Sequence, residues 1–350
     1  MSEKVVVAGA GFGGVHSALE LAQRGYDVEL IDKDGYHLFT PALIYIARGS
    51  MEAEDISMNL NDFFSDTSVE FSREKIVGID PDEEVVETTS GAHSYDNLVV
   101  SLGYDIASFG IDISDALEVY TLEGAKKVDR EAEEAESALI VGSGYVGVEV
   151  ACELRERGIE VTLVDRSTGP MPRSSKEVSE KVLESLNSRD ISFRGGQAVE
   201  EVNEDGIVLE NGERIEAEMV VWLAGMQSSE LVQRDFNCGR SGIEVNSGLN
   251  SHEYSNVFAL GSCADAGCEV TAYNAIGQAE TIAENIGRAD NKSLKEFEEG
   301  ARMLLMKMGD TAILEYGDKS YKNSLLRHMK KAIRWKYWSK LKWKRLRLRF

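Results

Sequence analysis

Short apolar runs that end in glycine punctuate this chain: VVVAG from Val5, ALIVG from Ala138, VVWLAG from Val220 and VFALG from Val257. A continuous apolar run of this length, closed by glycine, reads as a strand buried on both faces. Other stretches follow the helical period. Residues 176–189 place Val178, Val182, Leu183 and Leu186 on one face, residues 123–136 form an exposed, charge-laced helix, and Thr271–Arg288 reads as a further helix. Strands are expected at 69–79, at 84–89 and in SYDNLVVSLG, which ends at Ser101–Gly103, and a hairpin is expected around the Asn211-Gly212 turn. Residues 33–49 read as a loop followed by a mostly apolar segment.

The first two of these runs open a repeated unit. EKVVVAGAGFGGVHSALELAQRGYDVELID reads as strand, glycine turn, helix, strand, and 133 residues later it recurs as SALIVGSGYVGVEVACELRERGIEVTLVD. Gly9, Gly11 and Gly14 map onto Gly142, Gly144 and Gly147, and Asp32 maps onto Asp165, each acid 23 residues after its first glycine. In such a G-x-G-x-x-G turn the first glycine makes the turn, the second lets backbone approach a pyrophosphate, and the third lets helix pack on strand. The helix start then offers N–H groups and a positive dipole end to phosphate, and the acid can accept hydrogen bonds from a ribose. One such fingerprint is weak evidence. Two in full strand–helix–strand context predict two dinucleotide sites.

Composition sets limits. A chain of 350 residues, 43% of them hydrophobic, has ample core for two or three domains. No run approaches the roughly 18 apolar residues of a membrane span, and MSEKVVV leads into the first strand with no targeting segment expected ahead of it. Cys152, Cys238, Cys263 and Cys268 suggest neither a disulfide framework nor a zinc site. The net charge of −23 is uneven. Residues 319–350 hold 13 Lys or Arg and no acid, which leaves 25 bases against 61 acids in the rest, a net of −36. So acidic a body repels nucleic acid and is similar to proteins of salt-loving cells. The tail, LLRHMKKAIRWKYWSKLKWKRLRLRF, carries three of the four tryptophans, and at helical spacing Leu325, Leu326, Met329, Ala332, Ile333 and Tyr337 form a stripe that fades beyond Leu341. A basic amphipathic helix with interfacial Trp suits an anionic membrane surface, here through residues 325–350. The same helix could instead dock on the acidic body or on a partner.

Residues 4–290 resemble the two-dinucleotide-domain flavoproteins, the pyridine nucleotide-disulfide oxidoreductase superfamily. Within it YHLFTPALIYIARG, VGSGYVGVEVACEL, VVWLAG and the tail are most similar to type II NADH:quinone oxidoreductases. The resemblance implies an α/β fold of two Rossmann-like FAD/NAD(P)-binding domains, the second inserted in the first, plus a C-terminal basic amphipathic helix. The expected limits are 1–105 and 233–290 for the two parts of the FAD domain, 106–232 for the NADH domain and 291–350 for the C-terminal region. It also implies FAD on Gly9, Gly11, Gly14 and Asp32, and a nicotinamide cofactor on Gly142, Gly144, Gly147 and Asp165. Cofactor contacts are further implied for Phe12, Gly13, Lys33, His37, Val77, Gly103, Tyr145, Val146, Gly225, Gly261 and Ser262. An acid at the ribose favours NADH over NADPH, with Arg166 next to Asp165 working against that preference. Glu149 matches an acid the family places beside the nicotinamide, or is an exposed or capped helix residue. His37 belongs to the family's flavin loop, or is a loop residue and no more.

Three departures bear on function. The family places Gly-Asp where this chain has Gly261-Ser262, and Asp265 comes three residues late, so weaker flavin binding is expected. Where type II enzymes place two glutamines, TAYNAIGQAE has Tyr273 and Gly277, and Tyr273 with Gln278 either lines a quinone pocket or packs on the sheet. Residues 33–60 lack the cysteine pair of flavin-linked disulfide reductases, and of the four thiols Cys263 is the one expected near the flavin. The implied activity passes a hydride from NADH to FAD and electrons to a quinone, without proton pumping, on the cytoplasmic face of the cell membrane. Relatives of this type are often homodimers. A sulfide:quinone or other-acceptor reductase on the same scaffold is the alternative, and a membrane-attached nucleotide-binding redox sensor is the non-enzyme alternative.

Overall fold

The computed structural model describes residues 2–288, 294–300 and 302–348. Two parallel sheets form its frame. In the first, Val257–Ala259, Asn97–Val100, Lys4–Ala8, Asp27–Asp32 and Val69–Arg73 lie side by side in that order, all parallel. In the second the order is Ser192–Gly195, Glu160–Asp165, Ser137–Val141, Met219–Trp222, again all parallel. Val5, Val6, Val7 and Leu139, Ile140 are all but inaccessible to solvent, as expected for strands covered on both faces. The chain thus starts the first sheet, builds the second, and returns to the first at Val257. At the crossing, Tyr104–Ile106 pairs antiparallel with Met226–Ser228.

The repeat persists down to backbone angles. The helices Phe12–Gln23 and Tyr145–Glu156 are each 12 residues long. Gly9 and Gly142 have φ of +100° and +107°, and each helix is followed by a left-handed glycine, Gly25 at +86° and Gly158 at +95°.

Several elements differ from expectation. The strand expected over 69–79 breaks after Arg73, and Ile76–Asp80 turns into a separate antiparallel sheet with Val85–Thr88 and Ala92–Ser94. The apolar segment after residue 33 folds into a short strand, Tyr36–Leu38, and a buried helix, Leu43–Ala47. Residues 303–323 form an antiparallel meander, Met303–Met308, Thr311–Tyr316 and Lys319–Asn323, turning at the left-handed Gly309 and Gly317. The expected limit at residue 290 falls in 289–293, outside the described residues.

The C-terminal helix spans Met329–Leu346, preceded by a 3-10 turn at Leu325–His328. Its buried face shares only Tyr337 with the stripe expected to meet lipid. Leu325 is 74% exposed and Ala332 is exposed, while Tyr337, Leu341 and Lys344 are buried against the body. Two lysines sit within this inner face because acids of the body meet them: Lys330 pairs with Glu149, and Lys344 with Glu20 at 2.7 Å and Glu280 at 3.1 Å. Arg345 pairs with Asp66. The opposite face carries Trp335 at 73% and Trp343 at 58% exposure. Arg349 and Phe350, also part of the tail expected to meet lipid, lie outside the described residues.

Candidate functional site

Three glycines in each turn do three different jobs. A Cβ on Gly9 would collide with the Ser101 carbonyl, and one on Gly142 with that of Leu223, so the strand behind each turn forbids a side chain. A Cβ on Gly14 would overlap the Gly9 carbonyl, and one on Gly147 the Gly142 carbonyl, because helix and turn touch there. Gly11 and Gly144 have nothing within 4 Å on the side-chain side. That open space lies at the N-cap of each helix, and neither N-cap supplies a side-chain hydrogen bond. By contrast Thr121, Ser175 and Thr271 cap their own helices. Uncapped amides, a helix dipole and open room are what a dinucleotide pyrophosphate requires, so both turns fit the group.

The acids serve both turns alike. Asp32 accepts from the backbone N–H of Ala10 at 2.6 Å and of Asp34 at 2.7 Å. Asp165 accepts from Ser143 N at 2.6 Å, Ser143 Oγ at 2.8 Å and Ser167 N at 2.7 Å. Burial raises the Asp32 carboxyl above its usual value, and the two backbone donors work against the rise.

A continuous cleft of about 2730 Å³ opens onto both turns. Gly11, Phe12, Gly13, Lys33, Gly103, Gly261 and Ser262 line it from one side, and Gly142, Gly144, Tyr145, Val146, Gly147, Asp165 and Gly225 from the other. Glu149 and Tyr273 also border it, Tyr273 at 67% exposure near its mouth. Arg166 lies 5.7 Å from the Phe109 ring at the same wall. Gly9, Gly14, Asp32 and His37 stand behind the first turn instead of lining the cleft.

Two expected site residues are not brought there. Val77 lies on the exposed side of Ile76–Asp80, where its carbonyl accepts from Arg234. Gln278 is buried in the helix Ala272–Asn285, accepts from Gly261 N at 2.8 Å and donates to Cys268 Sγ at 3.3 Å. It braces the Gly261–Ser262 turn. Asp265 is also committed, accepting from Arg240 N at 3.0 Å. Among the thiols, Cys263 is fully buried and pushed up to about 11 by burial, whereas Cys268 lines the cleft.

Glu149 is fully buried, and both its oxygens meet Lys330 Nζ from the C-terminal helix, while Lys307 N–H donates to it at 2.5 Å. Burial pushes the carboxyl up and the amine down, and each charge partly restores the other. One turn further along the same helix Glu153 pairs with Lys307 at 2.6 Å and Arg48 at 3.0 Å. His37 is fully buried between Ala10 O at 2.8 Å and Tyr337 Oη at 2.6 Å, and burial pushes its pKa down to about 4. Sequence reasoning missed both basic and aromatic partners, Lys330 and Tyr337, because they lie on the tail.

Two glycine turns facing one cleft define a two-nucleotide oxidoreductase scaffold. Residues 3–280 match the signature of the pyridine nucleotide-disulphide oxidoreductases, and the chain belongs to that family. It is 29% identical over 341 residues to a type II NADH:quinone oxidoreductase of Staphylococcus aureus, covering 85% of each chain. In fold it is similar to the sulfide:quinone oxidoreductase of Aquifex aeolicus, with a TM-score of 0.86 at 21% identity over 98% of this chain and 92% of that one. NDH2 of Plasmodium falciparum in complex with NADH gives 0.83 at 16% identity over 92% of both chains. Among the described residues no cluster of side chains could hold a metal ion, and no helix is long and apolar enough to cross a membrane.

Proposed function

We propose that this protein oxidises NADH and reduces a membrane quinone, with FAD held at the first turn and NADH at the second. The observation that carries this reading is the pair of uncapped glycine-turn helices facing one cleft. The similarity to type II NADH:quinone oxidoreductases supports the donor and acceptor. Residues 1–105 with 233–290 serve the flavin, and 106–232 the nicotinamide cofactor.

Bound FAD supplies a ring that accepts a hydride and releases electrons. The chain supplies position and field. The Gly11–Gly14 and Gly144–Gly147 amides hold the two pyrophosphates, and Asp32 and Asp165 retain acceptor capacity for the riboses. Ser262 offers one hydroxyl to the flavin side chain in place of a carboxylate. Glu149, paired with Lys330, borders the nicotinamide region, and Tyr273 stands at the open end where a quinone enters.

The outward face of the C-terminal helix, with Trp335, Trp343 and Leu346 among Lys331, Lys336, Lys342 and Arg347, suits the anionic cytoplasmic surface of a membrane. Each basic residue near such a surface adds about 1 kcal/mol. A sulfide donor is the second reading, and it rests on Cys268 at the cleft wall.

The test is the visible spectrum of the purified protein, mixed anaerobically with NADH and then with a soluble quinone. A flavin band that bleaches with NADH and returns with quinone supports the proposal. Bleaching by sulfide and not by NADH selects the second reading, and a protein with no flavin refutes both.

A further inference from the structure

The carbonyl of Ala10 sits inside the first glycine turn, and His37 Nδ1 holds it at 2.8 Å. The other nitrogen of that ring meets Tyr337 Oη at 2.6 Å, 300 residues away in sequence. A carbonyl can only accept, so Nδ1 carries the hydrogen. In a neutral ring Nε2 is then an acceptor, and the Tyr337 hydroxyl is its donor. Burial keeps the ring neutral. The relay is therefore directional, from tyrosine hydroxyl to imidazole to the carbonyl of the turn.

In a trans peptide the N–H points opposite the C=O, and no cis bond occurs among the described residues. Anchoring the Ala10 carbonyl on the His37 side therefore turns the Gly11 N–H the other way, toward the side on which Gly11 lines the cleft. The Tyr337 ring also packs on Phe12, the first helical residue after the turn, at 5.0 Å between centroids. The second turn has no such relay: the corresponding Ser143 carbonyl accepts from the backbone N–H of Met171 at 2.9 Å.

Resting on the reading that the first turn holds FAD, we infer that Tyr337 is a positioning residue for that cofactor. The C-terminal helix is then a working part of the flavin site as well as a surface element. It sets the peptide plane that presents an amide to the pyrophosphate.

The experiment titrates FAD and, separately, NAD⁺ onto flavin-stripped full-length protein, for wild type, Tyr337→Phe, His37→Asn and the double variant. Tyr337→Phe removes only the hydroxyl and leaves Nε2 a buried acceptor without a partner, so FAD affinity falls about tenfold while NAD⁺ affinity is unchanged. The side-chain amide that His37→Asn introduces keeps a donor near Ala10 and cuts the link to residue 337, so adding Tyr337→Phe to that background has no further effect on FAD. Wild-type FAD affinity in Tyr337→Phe, equal losses for both nucleotides, or additive losses in the double variant would each overturn this inference alone. A wild-type protein that takes up no flavin overturns the functional reading and this inference with it.

Discussion

The two glycine turns have the same backbone and different supports. Gly9 and Gly142, Gly11 and Gly144, and Gly14 and Gly147 meet matching obstacles or matching open space. Behind both turns stands a half-buried carboxylate, Asp32 or Asp165, and behind the first also a buried imidazole, His37, tied to Tyr337. Behind the second stand a serine hydroxyl and a loop amide, with no titratable ring. The first helix carries Glu20 to Lys344, and the second carries Glu149 and Glu153 into an ion-pair cluster that includes Lys330. Identical turn geometry can thus be held by a proton-sensitive relay in one half and by a backbone amide in the other. The tail touches both halves, through the Tyr337–His37 link and the Lys344–Glu20 pair at the first and through the buried charged link from Lys330 to Glu149 at the second.

The largest effect is expected at the charged link. Lys330→Met leaves Glu149 buried with one backbone donor, which costs about 3–5 kcal/mol of stability. Urea unfolding of this variant and of the Lys330→Met/Glu149→Gln pair would measure it, and the pair should recover most of the loss. If the single variant loses under about 1 kcal/mol, well below the range for breaking a buried pair, the contact is not structurally important.

Next come Gly14→Ala and Gly147→Ala. Each added methyl overlaps a carbonyl of its own turn, at a cost of about 1–3 kcal/mol. Each should weaken its own nucleotide by roughly tenfold to a hundredfold and spare the other. Loss of both nucleotides from one substitution would show that the halves are not independent.

A graded effect, small near pH 6 and growing only as pH falls, distinguishes the supports. His37 is held neutral in the fold, with its pKa lowered to about 4 from 6.5. Between these values the unfolded chain binds a proton that the folded one does not, so stability is full above pH 6.5 and declines as pH falls toward 4. The slope from this group approaches about 1.4 kcal/mol per pH unit. Thermal melts of wild type and His37→Asn across that window should converge as pH falls. Parallel curves would remove His37 as the sensor. His16, also lowered by burial and by Lys344, adds a contribution of the same sign that both proteins share.

Much of this architecture is readable from residues alone, where the signal is local. The glycine spacing and the flanking apolar runs define both turns, and the strand and helix that follow each one obey short-range periodicity. What was not legible depends on distant partners. Lys330 and Lys344 count as polar on any helical stripe, yet both face inward, because Glu149 and Glu20 await them far upstream. The face that is buried therefore takes Tyr337 from the stripe expected to meet lipid and adds Leu341 and Lys344. Gln278 has the polarity of a pocket residue, but only the fold brings Gly261 N to its carbonyl. The meander at 303–323 carries a local signal in its Gly309-Asp310 and Gly317-Asp318 turns.

The relay from Tyr337 also has a consequence in time. Both glycine turns and their acids are complete by Asp165, but the helix that braces them begins at Met329. At about 5–20 residues per second of synthesis, on the order of ten seconds separates the two events. A nascent chain would display both turns with the Ala10 carbonyl unanchored and Glu149 unpaired. Tight cofactor uptake would then follow completion of the tail, so premature termination would leave a chain unable to hold flavin firmly.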